Sequence, residues 1–106
     1  MEKIICSAVW YKELYLKNPD ALEPRGFRPL NVDRGIVFFG LRHPHCIYQM
    51  VAITGLNQHE AGEEVQWFVT DTNRFVDRIE GAKIALECGQ IEKLNYGKQL
   101  YSEDLY

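Results

Sequence analysis

No apolar run in this chain approaches the roughly 18–20 residues that a membrane-crossing helix needs. The opening stretch, Met1-Glu2-Lys3-Ile4-Ile5-Cys6, lacks the long apolar core and small-residue cleavage site of a secretory signal. Cysteine is sparse: Cys6, Cys46 and Cys88 are odd in number, widely spaced and form no Cys-x-x-Cys pair. A disulfide framework is therefore not expected, and a reducing cytosol is the natural setting. Positive charge is also short, with 12 Lys and Arg against 15 Asp and Glu and a net charge of −3. That balance argues against a DNA- or RNA-binding domain, whose affinity comes from many cations replacing counterions. It leaves room for a short phosphorylated ligand, for which two or three placed arginines suffice. Walker loop, G-x-G-x-x-G and H-E-x-x-H patterns are all missing, so no catalytic residue and no cofactor is expected.

What is present fits one ordinary domain over residues 1–106. Apolar residues make up 46% and charged residues 25%, which excludes global disorder. The aromatic share of 12% is generous for so small a core, and some rings are free for other work. Residues 4–10 read as a strand from their β-branched and aromatic content. Residues 11–35 read as a long connection broken by Pro19, Pro24 and Pro29, with a helical turn near 21–23. Tyr11, Tyr15 and Phe27 are its aromatic anchors, and Arg25, Arg28 and Arg34 make it a candidate functional loop or, more plainly, a solvated one. Ile36–Phe39 reads as a second strand, Cys46–Ile53 as a third, a polar hairpin connection spans 55–62, and Glu64–Thr70 reads as a fourth. The expected helix begins at Asp77, with Glu80 completing a capping box, Ile79, Ala82, Ala85 and Leu86 on one face, and Gly89 at its end. The tail from Ile91 is expected to dock as an extended segment. The expected class is α+β: a small antiparallel sheet of about four strands with one main C-terminal helix.

The stretch Thr70-Asp71-Thr72-Asn73-Arg74-Phe75-Val76-Asp77-Arg78 carries the most chemistry. It leads from a strand into a helix N-terminus, where orphan N–H groups and the helix dipole attract anions. Arg74 and Arg78 are placed to grip a phosphate in bidentate fashion, with Phe75 between them to stack on a base. The plainer alternative pairs Arg78 with Glu80 or Asp77 on the surface and puts Phe75 in the core. A second cluster is Arg42-His43-Pro44-His45-Cys46, with His59 downstream. Its spacing is poor for zinc, and a Cys46–His43 nucleophile pair lacks an acidic orienter, so no metal site is expected. Arg42 reads instead as an anion partner assisted by His43. The carboxylates Glu60, Glu63, Glu64, Glu103 and Asp104 read as solvated charge.

The order Gly40-x-Arg42-His43, Trp67-Phe68-Val69-Thr70, Asn73-Arg74-Phe75-Val76-Asp77-Arg78, Gly89-Gln90-Ile91 and Ser102-Glu103-Asp104-Leu105 resembles a group of small phage proteins, the first-described Thoeris anti-defence proteins. The likeness spans nearly the whole chain, and its specific part is residues 40–106. The resemblance implies a sponge that binds cyclic ADP-ribose derivatives (glycocyclic ADP-ribose) made by bacterial TIR-domain enzymes, in the cytoplasm of the infected host, without degrading them. It implies a homo-oligomer, dimer or higher, with pockets built across subunits, and in some members a second capacity for cyclic oligonucleotides. By matching position, Arg74 and Arg78 would contact phosphates and ribose, Arg42 would do similar work, Tyr48 would stack on the adenine, and Asn57 would contribute from its loop. One departure stands out: Asp71 follows Thr70 where a serine is expected, which would set a negative charge against a phosphate of a cyclic oligonucleotide. Two rivals remain: a protein-interaction module that blocks a host factor, and a nucleotide hydrolase working through His43.

Overall fold

The computed structural model describes residues 1–15 and 28–106. The turn expected near 21–23, with Pro19, Pro24, Arg25, Gly26 and Phe27, lies outside the described residues. The elements in chain order are β1 (Ile4–Tyr11), β2 (Ile36–Gly40), α1 (His43–Thr54), β3 (Glu64–Thr70), β4 (Phe75–Val76), α2 (Arg78–Glu87) and α3 (Ser102–Leu105). The four strands form one sheet in the order β2-β1-β3-β4, antiparallel at every pairing. β1 is central: Ala8 sits between Phe39 of β2 and Trp67 of β3.

Three expectations about this architecture are corrected. The run 46–53 is not a strand but most of α1, a helix of 12 residues. Pro44 occupies its first turn, where the missing N–H costs nothing, and Gly55 closes it at φ 75° with its N–H donating to the carbonyl of Val51. His43, Cys46 and Met50 form the buried stripe at helical spacing, whereas a strand would have buried every second residue. The fourth strand is instead the two-residue β4. There is no single main C-terminal helix either. Three helices occur among the described residues, the longest is mid-chain, and the one at the end, α3, has four residues. Asp104 stabilises α3 by accepting from the Tyr101 backbone N–H at 2.9 Å, so the tail coils where an extended segment was expected.

Residues that pair across antiparallel strands share a face. Ser7, Val9, Tyr11 and Phe68 thus look toward the helices. There α1 packs Cys46 and Met50 against Val9, Tyr11 and Phe38, while α2 packs Ala82 and Ala85 against Ile4 and Phe68. Leu100 is fully buried in the second of these groups. The opposite face carries Ala8, Val37, Val69 and Phe75 under Val32. The segment ahead of β2 is tied across that face by Asn31, which donates to the carbonyl of Phe75 at 2.7 Å and accepts from its N–H at 2.8 Å. Burying these apolar side chains, at roughly 25 cal/mol per Å², is the main stabilising term. The outer face of α1 is different: Tyr48, Val51 and Ile53 are exposed there, and Phe39 and Leu41 are exposed at the neighbouring edge strand and the turn after it.

Candidate functional site

The N-terminus of α2 is capped from within. Asp77 Oδ1 accepts from the N–H groups of Ile79 at 3.0 Å and Glu80 at 2.8 Å. These are two of the orphan donors that would otherwise attract an anion. Glu80 does not complete a reciprocal box; its carboxylate lies 3.3 Å from Arg74.

Arg74 stands on the turn between β3 and β4, and its fork is occupied. Nε lies 2.9 Å from Glu2 Oε2 and Nη2 lies 2.6 Å from Glu2 Oε1, a bidentate pair. The hydroxyls of Thr70 (2.6 Å) and Thr72 donate to the same Glu2 oxygen. The Arg74 hydrogen bonds, followed by those of Thr70 and Thr72, hold the Glu2 carboxyl down at about 2. Glu2 in turn raises the Arg74 guanidinium above its usual range. Asp71 is engaged nearby, with its backbone N–H donating to Lys3 O at 3.0 Å and its carboxylate accepting from Lys3 N at 3.1 Å.

Arg78 has different surroundings. Its guanidinium carbon lies 4.8 Å from the centre of the Tyr101 ring and 5.7 Å from that of Phe68. Nη1 donates to the carbonyl of Leu100 at 3.0 Å. Among the described residues no carboxylate stands within ion-pair distance of it. Burial lowers the affinity of the guanidinium for its proton, only partly offset by Tyr101 and Glu103. It still remains charged at any physiological pH. An open concavity of about 240 Å³ lies against it, lined by Trp67, Asp77, Arg78, Ile79 and Gln99. One face of the Trp67 indole is stacked on Phe75 at 5.1 Å, which fixes the ring in place. A second open hollow of about 360 Å³ is lined by Tyr96, Tyr101 and Glu103.

His43, the first residue of α1, joins this region. Its Nε2 lies 2.7 Å from the carbonyl of Trp67, so Nε2 carries the proton. Trp67 precedes Phe68, the last β3 residue that pairs with β4, so the imidazole donates to a strand carbonyl just beyond that pairing. The ring also sits edge-on to Phe68 at 5.1 Å. Burial keeps His43 neutral to lower pH than an exposed imidazole, and the charge of Arg78 acts in the same direction. Arg42 donates to the backbone carbonyl of Tyr106, beside α3.

The arrangement therefore gathers Arg42, His43 and Arg78 around α3 and the middle of β3 at Trp67, while Arg74 faces Glu2 and Glu80. Phe75 is buried between Trp67 and Trp10, with a ring contact to each. Tyr48 is 69% exposed on the outer face of α1. Asn57 caps a turn: its Oδ1 accepts from Glu60 N at 2.9 Å, and its own N–H donates to Glu60 Oε1 at 3.0 Å. Cys46 is fully buried, and burial pushes its thiol up to about 12, so it is a packing residue rather than an available thiolate. Among the described residues no group of three His, Cys, Asp or Glu side chains is placed to hold a metal ion. Of the connecting-segment arginines within the described residues, Arg28 donates to the carbonyl of Gly35 at 3.1 Å and Arg34 lies 3.7 Å from Glu13.

Sequence reasoning missed Trp67, Gln99, Tyr101 and Glu2 as neighbours of the two arginines. The tail's aromatic residues, Tyr96 and Tyr101, interleaved with polar ones, were the available signal for part of this. The fold and site define a four-stranded antiparallel sheet with helices on one face and a half-buried arginine at the sheet's rim. The chain belongs to the Phage T4 y16D protein family, whose sequence model matches residues 3–106. No curated protein and no solved structure matches it. No helix among the described residues is long and apolar enough to cross a membrane.

Proposed function

We propose that this phage-family protein is an anti-defence sponge: it binds cyclic ADP-ribose signalling nucleotides made by TIR-domain enzymes and holds them intact in the cytoplasm of the infected host. The observation that carries this reading is Arg78, a guanidinium held against two aromatic rings, with no carboxylate partner among the described residues, at the wall of an open concavity. A cation so placed has lost hydration and, among the described residues, has no carboxylate within ion-pair distance; a diphosphate would supply that partner through charge-assisted hydrogen bonds. Trp67 offers an indole already fixed on one face, the kind of platform on which a nucleobase stacks. The chain's family is a phage protein family, and the residue order given in the sequence analysis resembles the Thoeris anti-defence proteins. In this reading Arg42 and His43 border the ligand, and Tyr48 and Asn57 reach it from a second subunit of an oligomer. The exposed apolar side chains of α1 supply a surface for such an assembly.

The test is calorimetric titration of the protein with glycocyclic and other cyclic ADP-ribose isomers, followed by heat denaturation and chromatography of the released nucleotide. Tight binding, lost in Arg78→Ala, with the nucleotide recovered unchanged, is the expected result. A new product would replace sequestration with hydrolysis. Absence of heat with every isomer would end the nucleotide reading and favour a protein-interaction module.

A further inference from the structure

The hollow of about 360 Å³ lined by Tyr96, Tyr101 and Glu103 shares no lining residue with the concavity at Arg78, and the nucleotide reading does not use it. Its two rings meet edge to face, with centroids 5.3 Å apart and planes at 78°. Crossed in this way they form a corner whose walls are ring faces, the negative side of the aromatic quadrupole. Tyr101 already holds one cation in this fold, the Arg78 guanidinium, 4.8 Å from its ring centre. The corner is braced by hydrogen bonds. Asp104 Oδ1 accepts from Asn95 Nδ2 at 2.9 Å and from Asn95 N at 3.3 Å, while Oδ2 accepts from Tyr101 N at 2.9 Å. One carboxylate thus ties the residue before Tyr96 to Tyr101 itself. Tyr96 is nonetheless 57% exposed, so its ring is held in place without being spent on the core. Glu103 has no bracing duty: it is exposed and, among the described residues, stands in no ion pair. Neighbouring carboxylates on α3 therefore divide the work, Asp104 holding the frame and Glu103 placing an unneutralised negative charge on the wall of the hollow.

We propose that Tyr96, Tyr101 and Glu103 form a binding site for an alkylammonium cation, the quaternary ammonium group of a small molecule. The positive head rests against the ring faces, and the Glu103 carboxylate supplies its countercharge. The alkyl groups lose water onto aromatic carbon, which an inorganic cation with a tightly held hydration shell does not do. No cationic side chain lines the hollow, so an anion finds no partner there. Its volume is at the small end of ligand-sized cavities and matches a compact head group rather than a whole nucleotide. The ligand is opposite in charge to the one proposed at Arg78, so the two sites are independent in chemistry as well as in position.

The experiment is a titration of tetramethylammonium chloride into isotopically labelled wild-type protein, Tyr96→Ala, Tyr96→Phe and Glu103→Gln, followed through the tyrosine ring signals. Sodium chloride and tert-butanol are titrated in parallel, the first supplying charge without alkyl surface and the second alkyl surface without charge. Saturable shifts of the Tyr96 and Tyr101 rings are expected with tetramethylammonium alone. Affinity should fall at least about threefold in Tyr96→Ala and in Glu103→Gln, and stay near wild type in Tyr96→Phe, which keeps the ring. Tyr96 and Glu103 are both exposed, so these variants keep the fold. Absence of a saturable shift, or equal shifts with sodium or tert-butanol, would overturn the site. Wild-type affinity in both Tyr96→Ala and Glu103→Gln would do the same. The probe is not a nucleotide, so its result stands apart from that of cyclic ADP-ribose binding.

Discussion

The guanidinium of Arg78 lies over the ring of Tyr101, 4.8 Å from its centre, although 23 positions separate the two in sequence. The tail after α2 thus returns to the residue that opens α2, and Leu100 fixes the return by accepting from Arg78 Nη1 and donating its N–H to Arg78 O at 2.9 Å. Tyr101→Leu removes the cation–π contact and should lower folding stability by about 0.5–1 kcal/mol. Tyr101→Phe keeps the ring and should stay near wild type. Urea midpoints of the three proteins decide this.

Arg78→Lys keeps the charge but loses the planar fork. Under the proposed sponge function, nucleotide affinity should fall by roughly tenfold in Arg78→Lys and further in Arg78→Ala, since hydrogen bonds to charged groups contribute about 1.5–3 kcal/mol. Calorimetry on the ligand that wild type binds most tightly supplies the comparison. Equal affinity for lysine and arginine would mean that charge alone is read.

Acid should loosen the N-terminal residues in a defined window. Glu2 has its ordinary carboxyl value near 4.5 when unfolded and about 2 when folded. Its contribution is therefore complete above pH 4.5 and is lost as pH falls toward 2. Both side chains are partly exposed, so the pair contributes about 1 kcal/mol or less. At pH 7 Glu2→Gln should be less stable than wild type by that amount, and the difference should vanish near pH 2. His43, held neutral by burial, adds destabilisation that begins higher, as pH falls below its ordinary 6.5. Denaturant midpoints against pH for wild type, Glu2→Gln and His43→Gln resolve the two windows.

Gly35 leads into β2 at φ 74°, and a Cβ there would stand 2.3 Å from the carbonyl oxygen of Tyr11. Gly35→Ala should therefore cost more than 1 kcal/mol, through both the left-handed backbone and the collision with main chain. Thermal unfolding measures it, and a loss of only a few tenths would show that the turn relaxes freely.

Cys46 should resist alkylation in the native protein at pH 8 and react fully once denatured, as mass spectrometry of iodoacetamide-treated protein would reveal. Rapid native modification would contradict its burial and raised thiol value.

Strands were legible where β-branched and aromatic residues cluster between turn residues, as in Ile4–Tyr11 and Glu64–Thr70. The start of α2 was legible through Asp77, whose side chain caps it as its chemistry requires. α1 was not, because Tyr48, Val51 and Ile53 carry apolar surface to the outside and erase the helical alternation. Pro44 and Gly55 bracketed the helix, but an apolar run of that length reads equally as a buried strand. The candidate site was half legible. Arginine and helix start are neighbours in sequence, so Arg74 and Arg78 were visible. Glu80 is only six positions from Arg74, but the other partners are distant: Glu2 is 72 residues from Arg74 and Tyr101 is 23 from Arg78, and no local pattern ties them.

The central position of β1 carries a consequence for the order of events during synthesis. Its seven pairings to β3 run from Ile4↔Thr70 to Tyr11↔Glu64, so the first strand made can be completed only after most of the chain has followed it. Until then the edge of β1 away from β2 is open to other strands, and contacts of such long separation form slowly. A ribosome-bound nascent chain should therefore stay vulnerable to proteolysis and chaperone capture past the emergence of Thr70, until α2 and Leu100 have emerged to cover Ile4 and Phe68.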